Sequence, residues 1–204
     1  MSSDPVTPPR PATRREQAKA ARRVEILASA ARQFALRGYQ GVRLEDIGAD
    51  VGISGPAMYR HFASKTDLLD TILVDVSEQL HEGGVAAASS PGSPDDRLHR
   101  LIEFHIDVLV TRPDLISVQD RDLFSLSEDA RYRVRSLQRR YVEEWVRVLC
   151  ERATERGAEL EAVEARVRIH AIFGLLNSSP RLPAFAPDRL RDLLIGMALR
   201  ALDG

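Results

Sequence analysis

Rings are scarce in this chain. Aromatic residues make up 5% of its 204 positions, and there is one tryptophan. Cysteine is scarcer: a single Cys150 excludes an intrachain disulfide framework. No apolar run approaches the ~18 residues that would suggest a membrane span, so no membrane partner is expected. The opening MSSDPVTPPRPATRREQAKAARR has no apolar core of the secretory kind, and cytoplasmic residence is the expectation. A Gly-rich phosphate loop, a G-x-S-x-G elbow, Cys/His metal spacing and a convincing pair of carboxylates are also missing. Those absences argue against an enzyme, and no cofactor or metal is expected.

Net charge is near balance at -1, but it is unevenly distributed. Residues 1–65 carry 11 Lys+Arg against 6 Asp+Glu, a charge of +5. Subtraction from the whole-chain 29 and 30 leaves 18 against 24, or -6, for residues 66–204. A basic end on an acidic body suits a polyanion that approaches from one side.

Hydrophobic spacing is helical throughout, and no segment sustains a period of two, so an all-α fold is expected. Residues 1–13, rich in Pro, Ser and Thr, read as a disordered arm. Leu27, Ala30, Ala31 and Phe34 share one helical face, and Gly38 supplies a stop. Ser64 and Asp67 form a capping-box-like start for a helix carrying Leu69, Ile72, Leu73, Val76 and Leu80. Gly83 and Gly84 are read as its end, and GGVAAASSPGSPDD as a flexible connector. Further helices are expected over about 95–112, 114–126, 128–156, 160–178 and 188–202. The prolines of SSPRLPAFAPD forbid continuity between the last two.

The scarce rings concentrate in ISGPAMYRHF, residues 53–62. LEDIGADVG followed by GPAMYRHF is the spacing of a helix-turn-helix. Gly52 can adopt the positive φ of a sharp inter-helix turn, and Gly48 is small where the helices approach. Pro56 suits a first helical turn. Ser54 either caps that turn or donates to a phosphate. Tyr59 and His61 offer donors to DNA, and Lys65 sits at a helix start that already favours an anion. Met58 and Phe62 are expected to face inward.

The order F-x-x-x-G, D-I, G-I-S, Y-x-H-F, S-K-x-x-L, running from about Val24 to Leu69, resembles the DNA-binding domain of TetR-family (tetracycline-repressor-like) regulators. The resemblance implies an N-terminal three-helix domain with a helix-turn-helix over 14–65. It also implies a helical ligand-binding and dimerisation domain over 66–204. Arg43, Ser54, Pro56, Tyr59, His61 and Lys65 become the residues expected to face DNA. Gly48 departs from the family's usual alanine. The implied activity is a ligand-responsive repressor on a double-stranded DNA operator, homodimeric through its last two helices. Val163, Val167, Ala171 and Gly174 on one, and Leu190, Leu193, Leu194, Met197, Ala198 and Ala201 on the other, form stripes suited to that pairing. The same stripes would also suit each subunit's own core.

For the effector, Ile102, His105, Leu109, Val118, Phe124, Tyr141 and Trp145 suggest a largely apolar pocket with a few polar tips. A lipid, an acyl thioester, an aromatic drug or another hydrophobic metabolite would fit it. His170 reads as a core histidine, and Cys150 would be a redox sensor only with a depressed pKa. The arginines and lysine of the arm (Arg10, Arg14, Arg15, Lys19, Arg22, Arg23) become candidate phosphate or minor-groove contacts beside such a domain. A helical protein-interaction module without sequence-specific DNA binding is the competing function. The clustered Tyr59, His61 and Lys65 and the charge asymmetry oppose it.

Overall fold

A computed structural model describes residues 13–179, 182 and 185–203. The expected disordered arm, apart from Thr13, and Arg10 within it lie outside the described residues. Those described form helices with no strand among them. They are α1 (Arg14–Arg37), α2 (Leu44–Asp50), α3 (Gly55–Met58), α4 (Lys65–Ala88), α5 (Pro94–Thr111), α6 (Pro113–Asp122), α7 (Glu128–Glu155), α8 (Ala162–Asn177) and α9 (Pro187–Leu202). A 3-10 turn, Leu123–Ser125, joins α6 to α7. Among the described residues no helix is long and apolar enough to cross a membrane.

Helix starts follow local chemistry. Thr13 and Ser93 each cap the N–H three residues on, and Glu16 and Asp96 return a bond to the cap N–H. Before α4 the box is offset. Ser64 accepts from the Asp67 N–H at 3.0 Å, while the Asp67 carboxylate takes the N–H of Ala63, at 2.8 Å. Gly38 ends α1 with φ +77°.

The expected end of α4 at Gly83 and Gly84 is wrong, because the helix continues to Ala88. A Cβ on Gly83 would stand 2.3 Å or less from two atoms of the Phe104 ring, and one on Gly84 2.3 Å from the Tyr141 ring. The glycines are there so that α5 and α7 can lay rings against the α4 backbone. The connector shrinks to residues 89–93.

Helices α1, α2 and α3 close around Ile26, Phe34, Ile47, Met58 and Phe62, and the first turns of α4 add Leu68 and Leu69. α4 then runs on into the body, where it packs mainly on α7 and α5. At the far end Arg152, buried, holds the Asp95 carboxylate at 2.6 Å and the Leu202 carbonyl at 3.0 Å, and also binds Asp203. Those bonds tie the start of α5, the end of α7 and the end of α9 together. Where the two parts meet, Arg121 of α6 donates to the Phe34 and Ala35 carbonyls at the end of α1 and pairs with Asp122. The Phe34 carbonyl already accepts from the Gly38 N–H, so Arg121 adds a second donor there and supplies one from the body to the Ala35 carbonyl in the last turn of α1.

Candidate functional site

The turn between α2 and α3 is set by Gly52, at φ +71°, and by Ile53 N–H bonded to the Gly48 carbonyl at 2.9 Å. A Cβ on Gly48 would lie 2.9 Å from both the Ile53 oxygen and Met58 Cγ. The departure from alanine therefore permits a closer crossing than alanine would. Behind the motif two arginines of α1 serve as clamps. Arg22 donates to the Val51 carbonyl at 2.8 Å, and Arg23 donates to the His61 carbonyl at 3.1 Å while lying 4.2 Å from the Phe62 ring centroid. Both carbonyls lie where helical turns end.

Met58 and Phe62 are fully buried and pin α3 from within. Pro56 opens the helix. Ser54 stands at the N-cap position but makes no capping hydrogen bond. Ser54, Pro56 and Tyr59 are exposed, Tyr59 to 55%, as is Arg43 at the start of α2. His61 is half-buried. Its surroundings remove solvent, and with Lys19, Arg60, Arg23 and Arg22 they lower its pKa, favouring the neutral ring.

Lys65 is placed differently from a free phosphate ligand. Its ammonium donates to the Tyr39 and Val42 carbonyls at 2.9 and 3.0 Å and lies 4.3 Å from the Tyr39 ring centroid. It fastens the α1–α2 turn, which brings α4's first residue beside the backbone that precedes Arg43. Of the basic residues assigned to the arm, Arg22 and Arg23 belong to the scaffold, while Arg14, Arg15 and Lys19 are exposed. Sequence reasoning missed the clamping roles of Arg22, Arg23 and Tyr39. A signal was present in the arginine pair four and three residues before the buried Ile26 on the same helix.

In the body, the expected pocket residues divide. Ile102, Leu109 and Val118 are buried in the core. His105, Tyr141 and Trp145 meet, together with Phe173, in a closed ring cluster with centroids 4.9–6.0 Å apart. Phe124 does not join them and is 78% exposed. In the 3-10 turn and the extended residue after it, Leu123 and Leu126 take the inward positions and turn Phe124 out. His170 is likewise exposed, on the outer side of α8.

His105 Nε2 lies 3.1 Å from the Asn177 side-chain oxygen, and Nδ1 3.0 Å from the Tyr141 hydroxyl. An amide oxygen only accepts, so Nε2 holds the proton and Nδ1 accepts from Tyr141. Burial drives the His105 pKa down to about 4, with Asn177 opposing, and raises that of Tyr141. Trp145 Nε1, buried, has no hydrogen-bond acceptor at full bonding geometry among the described residues, but it lies close enough to the Tyr141 hydroxyl to oppose the rise in that group's pKa. Cys150 has its pKa raised by burial, the opposite of what a reactive thiol requires. His99 and Glu103 approach to 3.6 Å, but no group of three or more possible metal ligands occurs among the described residues.

Comparison with known proteins fits these two halves. The family model for bacterial regulatory proteins of the tetR family matches residues 26–72, and that for the tetracyclin repressor-like C-terminal domain matches residues 91–181. The HTH-type transcriptional repressor KstR2 of Mycobacterium tuberculosis is 30% identical over 136 residues, covering 63% of this chain. This chain spans 64% of that relative's length. The structure of PfmR, a TetR family transcriptional regulator from Thermus thermophilus, superposes with a TM-score of 0.75 at 27% identity over 88% of this chain and 97% of that one. The KstR2 structure from M. tuberculosis gives 0.76 at 22% identity, over 87% and 93%, and shares the fold. With both of its halves matched by models of one family, and with the helix-turn-helix and helical body that those models describe, the chain belongs to the TetR family.

Proposed function

We propose that this chain is a cytoplasmic, homodimeric repressor that binds a double-stranded DNA operator and leaves it when a small hydrophobic molecule occupies its body. On this reading residues 14–65 bind DNA and 66–204 bind the effector and the second subunit, with α4 joining the two. The observation that carries it is the division of α3. Met58 and Phe62 hold the helix from behind, and Ser54, Pro56 and Tyr59 stand exposed on it beside a basic α1. Such a face, with hydroxyl donors and Arg43 near it, suits phosphates and major-groove edges. His61 contributes as a neutral ring, and Lys65 by its charge, with two of its three N–H groups already engaged.

Two further features support the dimer and the effector. Val163 (67% exposed), Val167 (65%), Ala171 and Gly174 line one outer face of α8, and Leu193, Met197 and Ala201 are exposed along α9. Leu194 and Ala198 turn into the subunit's own core. Contiguous exposed apolar stripes of this kind are characteristic of association surfaces. In the body, the apolar surroundings of His105, Tyr141 and Trp145, with their few polar tips, suit an apolar effector that carries a carbonyl or hydroxyl oxygen. KstR2 of M. tuberculosis is a ketosteroid transcriptional regulator, and a ketosteroid, apolar with carbonyl oxygens, is one molecule that would suit such an interior.

The test is retention of the DNA upstream of the chain's own gene, by footprint and gel shift, for the wild type and Tyr59→Ala. The variant is expected to lose specific binding while remaining dimeric by light scattering. Unchanged retention by the variant would remove α3 as the recognition element. A monomer at micromolar concentration would remove the dimer.

A further inference from the structure

Beside the outer face of α8, a groove of about 390 Å³ runs between that helix and α7. α7 lines it with Arg135, Arg139, Val142 and Glu143, and α8 with Arg166 and His170. Three arginines against one glutamate give the groove a charge of +2, in a body that carries -6. Arg166 and Glu143 cancel each other in a two-pronged contact at 2.9 and 3.0 Å. Arg135 and Arg139, one helical turn apart and exposed, have no ion-pair or hydrogen-bond partner among the described residues. The α8 edge of the groove continues into the apolar stripe, because His170 stands in line with Val163, Val167 and Gly174, all exposed.

The opposite charge lies on α9. Asp188 and Asp192, also one turn apart and exposed, have no ion-pair or hydrogen-bond partner among the described residues. α8 packs against α7 along one side and α9 along the other, so within one chain the two charged pairs are held apart. They nevertheless stand at the same height along α4. Tyr141, next in line after Arg139, lies on Gly84, while Phe104 lies on Gly83 beside the Glu103 that binds Arg191. Both helices also rise in the direction of α4. Along α7, Asp70 holds the Ser127 N–H at the bottom and Arg147 reaches the Ala88 carbonyl at the top. Along α9, Arg191 binds Asp107 near the end of α5, and the Leu202 carbonyl shares Arg152 with Asp95 at its start.

A twofold axis parallel to α4 is the symmetry that puts both helix-turn-helix units on one side of a dimer. Such an axis keeps the height of every residue and exchanges left for right. With the outer faces of α8 apposed, it lays the second copy's α9 over α8 and the groove beside it. We propose that the groove between α7 and α8 seats α9 of a second copy of this chain, with Arg135 and Arg139 facing Asp188 and Asp192 across the interface. The inference rests on the homodimer proposed above and extends its surface from α8 and α9 to α7. The matching one-turn spacing sets two cations against two carboxylates, once on each side of the axis. Exposed ion pairs add little affinity each, so the apolar stripes hold the dimer while the charges fix its register and reject other pairings.

Exchange of the charges tests the proposal. Arg135→Glu with Arg139→Glu sets carboxylates against carboxylates at both copies of the contact. Asp188→Arg with Asp192→Arg sets guanidiniums against guanidiniums. Each doubly substituted full chain is expected to dimerise at least about tenfold more weakly than the wild type in sedimentation equilibrium at low salt, with unchanged helical circular dichroism. An equimolar mixture of the two restores opposite charges at both contacts, and its heterodimer should come within about threefold of the wild-type affinity. Wild-type dimerisation of either variant would overturn the proposal, and is the result that a groove serving an anionic ligand would give. Two weakened variants whose mixture stays monomeric would overturn it as well. A monomeric wild type would remove the dimer itself, a result distinct from a dimeric wild type with indifferent variants.

Discussion

In the N-terminal bundle, Arg22 and Arg23 reach inward to carbonyls at helix ends, while Ser54, Pro56 and Tyr59 stay outside. In the body the arrangement is reversed, with polar groups inside. His105 and Tyr141 are buried and bonded to each other, Asn177 completes the hydrogen-bond chain, and the outward faces of α8 and α9 carry valine, leucine and methionine. The contrast extends to the two histidines. His61 keeps partial access to water beside several cations, whereas His105 is enclosed by rings and has a pKa of about 4. A surface that meets a solvated polyanion has to present its donors. Polar groups buried among rings avoid the cost of lost solvation by bonding one another, as His105, Tyr141 and Asn177 do.

The contrast predicts effects of graded size. Trp145→Ala, at the centre of the ring cluster, should cost about 3–5 kcal/mol in urea unfolding. The helix-turn-helix half, packed on its own core, should lose far less when the exposed Tyr59 is truncated. The body should also be the acid-sensitive half. His105 titrates near 6.5 when unfolded and about 4 when folded, so the unfolded chain binds the extra proton between those values. The stability it contributes is present above pH 6.5 and is lost as pH falls towards 4, by about 2 kcal/mol between pH 7 and pH 5. Urea midpoints across that range should fall for the wild type and fall less for His105→Gln. An equal slope would show that other groups carry the acid sensitivity.

Within the N-terminal bundle, Arg23→Ala removes donors to His61 and Thr71 and the cation over Phe62, for about 2 kcal/mol of stability. Operator affinity should drop with it, because the end of α3 loses its tether. The smallest stability effect belongs to Arg43→Ala, about 0.5 kcal/mol or less at an exposed position. Its signature lies in DNA binding, where the slope of log affinity against log salt should decrease by about one. Arg43 tests the phosphate role more cleanly than Lys65, whose removal would also release the Tyr39 and Val42 carbonyls.

Much of the N-terminal half was legible because its signals are local. Gly38 and Gly52 stop helices through their own backbone angles, Pro56 opens one, and Met58 and Phe62 fall inward by spacing alone. Roles were harder to read where they depended on packing rather than on local backbone preference. Gly83 and Gly84 look like a helix end until Phe104 and Tyr141 are seen lying on them. Lys65 looks like a free cation until its ammonium is found on two carbonyls over 20 positions away. Phe124 looks like a pocket wall, but its neighbours Leu123 and Leu126 occupy the inward positions.

Residue order was enough to specify an all-helical chain, the helix-turn-helix with its inward and outward residues, and the basic end suited to a polyanion. These follow from φ preferences, helical periodicity and charge counts, which act over a few residues at a time. Packing in three dimensions was needed to establish that α4 runs unbroken through two glycines and that Arg22 and Arg23 clamp the motif. The same holds for His105, kept neutral among three rings, and for the arginine-lined groove between α7 and α8. Each of these depends on which side chains meet across helices, where burial and pairing set the energy of every polar group.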